Sequence, residues 1–226
     1  MPIIISGSNG ISGVDGTAAA PAVQGADNNT GMFFPAADTI AFSEGGTEAL
    51  RLNASGNAVF AGTIQTAGIT TSLYPLVQGT AVASTSGTSI DFTGIPSWVE
   101  RITVMFNGVS TNGTSSLLVQ LGTSAGILAS GYTGSLLTFG PAFTAFSTGF
   151  LVSPSAAART NAGHIFLTNI SGNAWVESSS LANQAAADNT MSAGAVTLAG
   201  VLDRVRITTV GGTDAFDAGT VNILWE

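Results

Sequence analysis

The chain has 226 residues, of which 8% are charged and 45% are hydrophobic, whereas roughly 25% of the residues in ordinary soluble proteins are charged. Its net charge is −8 and its basic residues are five scattered arginines, so it lacks the basic stripe that holds phosphates, and we expect no nucleic-acid binding. The absence of cysteine excludes disulfides, thiolate catalysis and thiolate metal sites. No apolar run approaches the roughly 18 residues of a membrane span, so we expect no membrane insertion. The apolar surface is then expected to be covered by other copies of the chain or by neighbours in an assembly.

Residues 1–32 form a segment rich in Gly, Ser, Ala and Asn that shows almost no hydrophobic periodicity. Such a composition is typical of a flexible segment, and equally of an extended arm that becomes ordered against a partner. The start of the chain has no positively charged leader and no long apolar core, so we expect no signal peptide. We interpret 1–32 as an extended attachment arm.

Residues 33–88 contain three short predicted strands, at 39–43, 47–52 and 58–64, separated by the turns EGG and NASGN. Strands this short make a poor core alone, because a small sheet needs another layer to pack against. Pairing with sister chains would supply that layer through the in-phase apolar residues of the first two strands, which are Ile40, Phe42, Leu50 and Leu52. We interpret 65–88 as a connector that contains one short strand.

Residues 89–226 show strand signals about every 10 to 14 residues with Gly, Ser and Asn turns between them, the pattern of an antiparallel sandwich or jelly roll. The clearest strand is WVERITVMFNGV, in which Ile102, Val104 and Phe106 alternate with polar or less apolar residues. Residues 183–194 are predicted to be a loop. Further strands are predicted within 115–122, 131–140, 143–152, 163–170, 173–180, 202–212 and 218–226. The sequence thus predicts an all-β chain with a small short-stranded N-terminal module and a C-terminal antiparallel β-sandwich of jelly-roll type.

The candidate catalytic groups do not form a convincing set. Gly122 to Gly126 fit G-x-S-x-G, but a nucleophile elbow needs a helix after the serine, and no helical pattern follows Ser124. His164 is the chain's single histidine, so it is the only possible base for such a serine, and a transition-metal site lacks further ligands; we interpret it as a strand-end residue. Asp214 and Asp217 lie in a turn, where solvated turn-forming residues are the simpler interpretation and a glycosidase pair is the alternative.

Glycan binding without cleavage rests on exposed aromatic rings with amides or acids beside them. Four residues are candidates for contact with such a ligand: Tyr132, Phe139, Trp175 and Asp188. Core packing is the alternative for each of the three aromatic residues. We expect no metal and no cofactor.

Residues 16–57 resemble a segment found in tail-fibre proteins of double-stranded DNA bacteriophages. The resemblance lies in Asp27, Asn29-Thr30-Gly31, Pro35, Ala37-Asp38, Gly45-Gly46, Glu48, Leu50-Arg51 and Ser55-Gly56-Asn57. Residues 91–111 and 202–226 resemble a C-terminal domain common in phage and prophage fibre or receptor-binding proteins.

The resemblance implies a homotrimeric, non-enzymatic virion protein, made in the host cytoplasm and carried on the particle. Its N-terminal part would attach to other virion proteins, and its C-terminal domain, 89–226, would bind a glycan or protein of the host surface. In such a trimer Ile40, Phe42, Leu50 and Leu52 would lie about the threefold axis. Arg51 would pair with Glu48 or a neighbouring chain, or be solvated. Two alternatives stay open, an adaptor or decoration protein of tail or capsid and a glycan depolymerase.

Overall fold

The structure, a computed structural model, describes residues 4–6, 10–12, 14–62, 64–66, 69–71, 76–138, 143–154, 159–186 and 188–226. In these ranges the regular secondary structure is entirely β, and neighbouring strands pair antiparallel, so the predicted all-β class is confirmed. No helix in the described ranges is long and apolar enough to cross a membrane. The chain divides into two compact units, Met1–Leu73 and Tyr74–Glu226.

The N-terminal unit is built around one five-stranded sheet, in which β5 to β9 lie side by side in chain order. Gly45 and Gly46 have positive φ, which is what a tight hairpin turn between β7 and β8 requires. Because β5 and β6 belong to this sheet, it extends into the segment 1–32 that we interpreted as an arm. The strands of this unit are β1 Ile4–Ser6, β2 Gly10–Ser12, β3 Gly16–Thr17, β4 Ala20–Pro21, β5 Val23–Gln24, β6 Gly31–Phe33, β7 Ile40–Glu44, β8 Thr47–Leu52, β9 Ala58–Phe60, β10 Ile64–Thr66 and β11 Ile69–Thr71.

The C-terminal unit contains a nine-stranded and a five-stranded antiparallel sheet. Its strands are β12 Val77–Gln78, β13 Val82–Ala83, β14 Ser89–Thr93, β15 Arg101–Thr111, β16 Leu117–Thr123, β17 Gly126–Ile127, β18 Thr133–Thr138, β19 Phe143–Phe146, β20 Phe150–Ser153, β21 Asn161–Ser171, β22 Ala174–Asn183, β23 Asp188–Thr197, β24 Arg204–Thr209 and β25 Phe216–Trp225. The large sheet has the order β12-β25-β15-β21-β22-β23-β18-β19, with β13 also paired to β25. The small sheet has the order β14-β24-β16-β17, with β20 also paired to β16.

One hydrophobic core lies between the two sheets, which is the sandwich that the sequence predicts. The inward residues of β15, Ile102, Val104 and Phe106, are buried, as their period of two requires for a strand with one face on the core. Both sheets contribute to the core, since Ile207 of β24 and Ile223 of β25 are buried in the same cluster.

Gly108 and Gly219 approach each other closely at a bulge in the ladder between β15 and β25. The register between these strands shifts between Asn107 and Ser110, and both glycines have positive φ. A Cβ atom on Gly219 would stand 2.4 Å from the carbonyl oxygen of Gly108, so no larger residue fits there without a backbone shift.

Two predicted loop regions contain strands. Residues 188–197 form β23, a ten-residue strand inside the large sheet, although 183–194 was predicted to be a loop. The prediction was wrong because the inward positions of β23 include Thr190 and Ser192, so the apolar alternation that marks a half-buried strand is missing. The connector 65–88 contains β12 and β13, which pair with β25 and so belong to the sandwich.

Candidate functional site

An exposed apolar row crosses all five strands of the N-terminal sheet. The register pairs Val23 with Met32, Met32 with Phe42, Phe42 with Leu50, and Leu50 with Phe60. Directly opposed residues project from the same side of a sheet, so these five side chains form one continuous row. Beside this row, Ile40 lies opposite Leu52. We call these seven residues the apolar N-terminal face.

Among the described residues of its own unit, no second layer covers the apolar N-terminal face. Ile40, Phe42 and Leu52 are 37%, 40% and 41% exposed, and Val23 and Phe60 are about half exposed, at 51% and 49%. Soluble monomers rarely expose contiguous apolar patches of this kind without a binding role. The structure therefore places the four residues predicted for a trimer core, Ile40, Phe42, Leu50 and Leu52, on one open surface of the chain.

The opposite side of the same sheet has a different character. It carries the buried Phe33 and Ala41, which are directly paired. Arg51 lies opposite Ala41, and its guanidinium makes an ion pair of 2.6 Å with Glu48. The arginine is thus held within its own chain, on the side away from the apolar N-terminal face.

Two aromatic residues predicted to contact a receptor lie in the core. Tyr132 is 2% exposed and Trp175 is 3% exposed, so both predictions are corrected in favour of core packing. The hydroxyl of Tyr132 accepts a hydrogen bond from the amide of Leu121 at 2.8 Å and donates to the carbonyl of Leu128 at 3.1 Å. Its burial raises the pKa of the phenol to about 12. Phe139 lies outside the described residues.

Asp188, the fourth receptor-contact candidate, is held by Arg159. The guanidinium donates two hydrogen bonds, of 2.6 and 2.8 Å, to the two carboxylate oxygens of Asp188. The third donor of Arg159, Nε, reaches the hydroxyl of Ser153. Hydrogen bonds from Arg159 lower the pKa of Asp188. The carboxylate is therefore an anchor within the sandwich, and its contact with a receptor stays a prediction.

The structure does not bring the catalytic candidates together. Ser124 lies in the turn between β16 and β17, in the small sheet, whereas His164 lies on the exposed outer side of β21 in the large sheet, against the ring of Phe166. Asp214 accepts a hydrogen bond from the amide of Ser115 at 2.7 Å. Asp217 accepts one from the hydroxyl of Ser110. Among the described residues no group of three or more His, Asp or Glu side chains could hold a metal ion.

A buried carboxyl that the sequence analysis missed lies on β22. Glu177 is 4% exposed, and its Oε1 accepts a hydrogen bond of 2.6 Å from the hydroxyl of Ser192 on β23. That hydroxyl is 2.5 Å from the hydroxyl of Ser179. Burial raises the pKa of Glu177 to about 7, and the hydrogen bonds from Ser192 and Ser179 oppose that rise.

The outer side of the large sheet is nearly free of charge. Outward positions on its central strands β21, β22 and β23 carry no Asp, Glu, Lys or Arg in the described ranges. Phe143, Leu137 and Met191 follow one another across β19, β18 and β23, and Phe143 is 71% exposed. The small sheet differs, because Asp91 and Arg206 form an ion pair between its strands β14 and β24.

Sequence reasoning missed three of the seven residues of the apolar N-terminal face, Val23, Met32 and Phe60. Val23 and Met32 lie on strands of two and three residues, too short to give a detectable period. Phe60 was placed in a predicted strand, but its face could not be assigned without the register. Glu177 had one usable signal, since Trp175, Glu177 and Ser179 alternate along NAWVESSS, but an acidic residue at that spacing is usually on the solvent side.

In comparisons with known proteins, no family model, no curated protein and no solved structure matches the chain.

Proposed function

We propose that this chain is a structural binding protein that assembles with copies of itself through its N-terminal unit and presents its C-terminal sandwich to a partner. The finer form of the proposal is a homotrimeric fibre of a virus particle, with its N-terminal part attached to other virion proteins and its sandwich directed at a host-surface glycan or protein. This form rests on the sequence resemblance of 16–57, 91–111 and 202–226.

The apolar N-terminal face is the observation that carries the proposal. Few apolar side chains are buried in the described part of this unit: Phe33 and Ala41, which lie on the other side of the sheet, and Pro21. A five-stranded sheet with so little buried apolar surface is marginal by itself. Copies of the same face around a common axis would supply the missing layer. The sparse charge of the chain, 8% of its residues, fits a surface that is covered in the assembled state.

Binding and assembly are favoured over catalysis by the state of the reactive groups. Ser124 and His164 lie in different sheets, and Asp214 and Asp217 each hold a separate loop contact. A carboxylate that accepts a hydrogen bond from a backbone amide or a hydroxyl satisfies a polar group and stabilises the fold. The alternative of a glycan depolymerase gains no support from this arrangement.

The mass of the native particle tests the assembly directly. We expect the wild-type chain to show three times the 22.5 kDa of a single chain in native mass spectrometry and in analytical ultracentrifugation. The variant Val23→Asp places a charge in a contact that the assembly would desolvate, which costs several kcal/mol per chain. We expect it to dissociate into single chains.

The matched control is Val210→Asp. Val210 lies in a turn of the sandwich and is 52% exposed, against 51% for Val23, so both substitutions place a charge at a half-exposed valine, and only Val23 lies on the face that the proposed assembly would cover. The control should keep the wild-type mass. A wild-type protein that is monomeric at micromolar concentration, or a Val23→Asp variant that assembles as the wild type does, would contradict the proposal.

Electron microscopy of the intact particle separates the receptor-binding fibre from the adaptor or decoration protein. A fibre leaves the sandwich free in solvent, whereas an adaptor is enclosed by other proteins. Binding of the purified chain to host cells with competition against infection supports the first role. An enclosed sandwich, or no binding to susceptible cells, supports the second.

A further inference from the structure

Glu177 occupies an apolar site between the sheets. On β22 its neighbour on the same side is Trp175, and its partner on β21 is Leu167, which is buried. Its partner on β23 is Gly194, where a Cβ atom would stand 2.7 Å from Cζ of Phe146. The glycine therefore lets an aromatic ring close over the position opposite the carboxyl. A charge in such surroundings loses hydration that the hydroxyls of Ser192 and Ser179, the polar neighbours of the carboxyl, replace only in part.

The hydrogen bonds of Glu177 are incomplete. The hydroxyl of Ser192 donates a hydrogen bond to Oε1. Within the described ranges, however, Oε2 of Glu177 and Nε1 of Trp175 are buried without a hydrogen-bond partner. An ionised carboxylate offers about four lone-pair sites and needs several donors. A neutral carboxyl needs fewer, so the site as built suits the neutral form.

No charge in the described structure compensates Glu177. On β23 the titratable residue is Asp188, six positions from Gly194, hence roughly 20 Å along the strand, and it is paired with Arg159. His164 on β21 projects from the outer side of the sheet. Strands β18, β19 and β20 contain no titratable residue. Tyr132, before β18, has its hydroxyl bonded to Leu121 and Leu128.

We propose that Glu177 and Ser192 form a pH-sensitive latch between β22 and β23, which holds the outer strands of the large sheet while the carboxyl is neutral and loosens them when it ionises. Because the latch lies between β22 and β23, its opening should affect the strands on only one side of it. β23, β18 and β19 lie beyond β22 at one end of the large sheet, so parting β22 from β23 admits water to the carboxyl and releases these three strands together.

The sign of the pH effect follows from the direction of the shift. The pKa of Glu177 is raised from 4.5 to about 7 in the folded chain. Its contribution to stability is therefore fully present below about pH 4.5 and is lost as the pH rises through about 7. Between pH 5 and pH 8 the opening equilibrium constant of the latch should rise roughly 50-fold.

Amide hydrogen exchange of the full chain, at fixed protein concentration and corrected for intrinsic exchange rates, measures this opening strand by strand. In the wild type we expect the roughly 50-fold rise in β23 and β18 and little change in β15 and β25. Glu177→Gln keeps the size of the side chain and cannot ionise, so its β23 and β18 should exchange with no such dependence. His164→Gln removes the single histidine and should behave as the wild type does.

A direct titration keeps the proposal testable if Glu177→Gln fails to fold. The chain has five glutamates, and carboxyl-labelled glutamate gives one carbon resonance for each in an NMR titration of the wild type. One of the five should titrate near neutral pH, and Ser192→Ala should move that titration to higher pH. Three results would overturn the latch. All five resonances could titrate below pH 5.5, or the amide exchange rates could change with pH by the same factor in every strand. The third is a pH dependence of exchange that His164→Gln removes.

Discussion

Gly219 is a position where a single added methyl group has a predictable effect. Its φ of 97° lies in the left-handed region, and its Cα faces the backbone of Gly108 across the bulge. We expect Gly219→Ala to destabilise the sandwich by about 2 kcal/mol or more, because both the dihedral angle and the contact with the carbonyl of Gly108 oppose a Cβ atom. Urea denaturation followed by intrinsic tryptophan fluorescence measures the change.

Gly200→Ala is the control for this substitution. A Cβ atom there would meet the side chain of Thr123 at 3.7 Å, an ordinary contact, and no backbone atom lies closer. The change should stay within about 0.5 kcal/mol of the wild type. Equal effects of the two substitutions would show that the close approach at the bulge does not constrain the chain.

At the scale of elements, two arginine–aspartate pairs join strands or loops of the sandwich in different surroundings. Arg159 is buried and makes two hydrogen bonds to Asp188, whereas Arg206 and Asp91 are each about one-third exposed. The side chain of Asp188 is 29% exposed, so it would keep part of its hydration after the loss of Arg159, and removing that partner costs less than the roughly 3 to 5 kcal/mol of a fully buried pair. An exposed pair contributes about 1 kcal/mol or less.

We therefore expect Arg159→Met to destabilise the sandwich much more than Arg206→Met at pH 7. The difference should vanish in acid. Because the pKa of Asp188 is lowered below its usual 3.8, the pair contributes fully above that pH and its contribution is lost as the pH falls through the lowered pKa. Denaturation midpoints of both variants at pH 7 and near pH 2 test this, and a larger loss for Arg206→Met would contradict it.

The strands of the sandwich differ in how far sequence could define them. In β15 the inward residues Ile102, Val104 and Phe106 are all apolar, so periodicity alone located the strand and its buried side. In β23 the inward residues Thr190 and Ser192 make hydrogen bonds to other strands: the hydroxyl of Thr190 donates to the carbonyl of Val152 on β20 at 2.8 Å, and the hydroxyl of Ser192 donates to Glu177 on β22. Such partners are set by tertiary packing, which no local pattern records.

The same dependence on tertiary packing explains which candidate site residues could be located from sequence. Tyr132 was a candidate because exposed aromatic rings bind glycans, but its hydroxyl binds the backbones of Leu121 and Leu128 in the core. The residues Ile40, Phe42, Leu50 and Leu52 lie on one face of the sheet, as their common phase predicts, because two adjacent strands of a tight hairpin fix each other's register. Their place in a trimer core stays a prediction.

At the scale of the whole molecule, the two units differ in how much apolar surface each buries within itself. The sandwich has one large cluster of buried side chains, whereas the N-terminal sheet leaves its apolar face open. We expect two unfolding transitions in scanning calorimetry. The transition of the N-terminal unit should rise in temperature with protein concentration, because assembly stabilises only the folded form.

The sandwich transition should not depend on concentration, which makes it the internal control. Val23→Asp should abolish the concentration dependence of the first transition and leave the second unchanged. One transition that is independent of concentration over a hundredfold range would contradict the division of stability between assembly and core.

The uneven distribution of charge over the sandwich also governs how the protein meets a boundary between water and a less polar phase. The side formed by β21, β22 and β23 is poorly wetted, with Phe143 and Met191 prominent on it, while the side with Arg206 and Asp91 stays hydrated. Molecules at an air–water interface or on a graphitic support would therefore adsorb through the side formed by β21, β22 and β23. Thin-film specimens of this protein are then expected to present a strongly preferred view, and a charged coating on the support would randomise it.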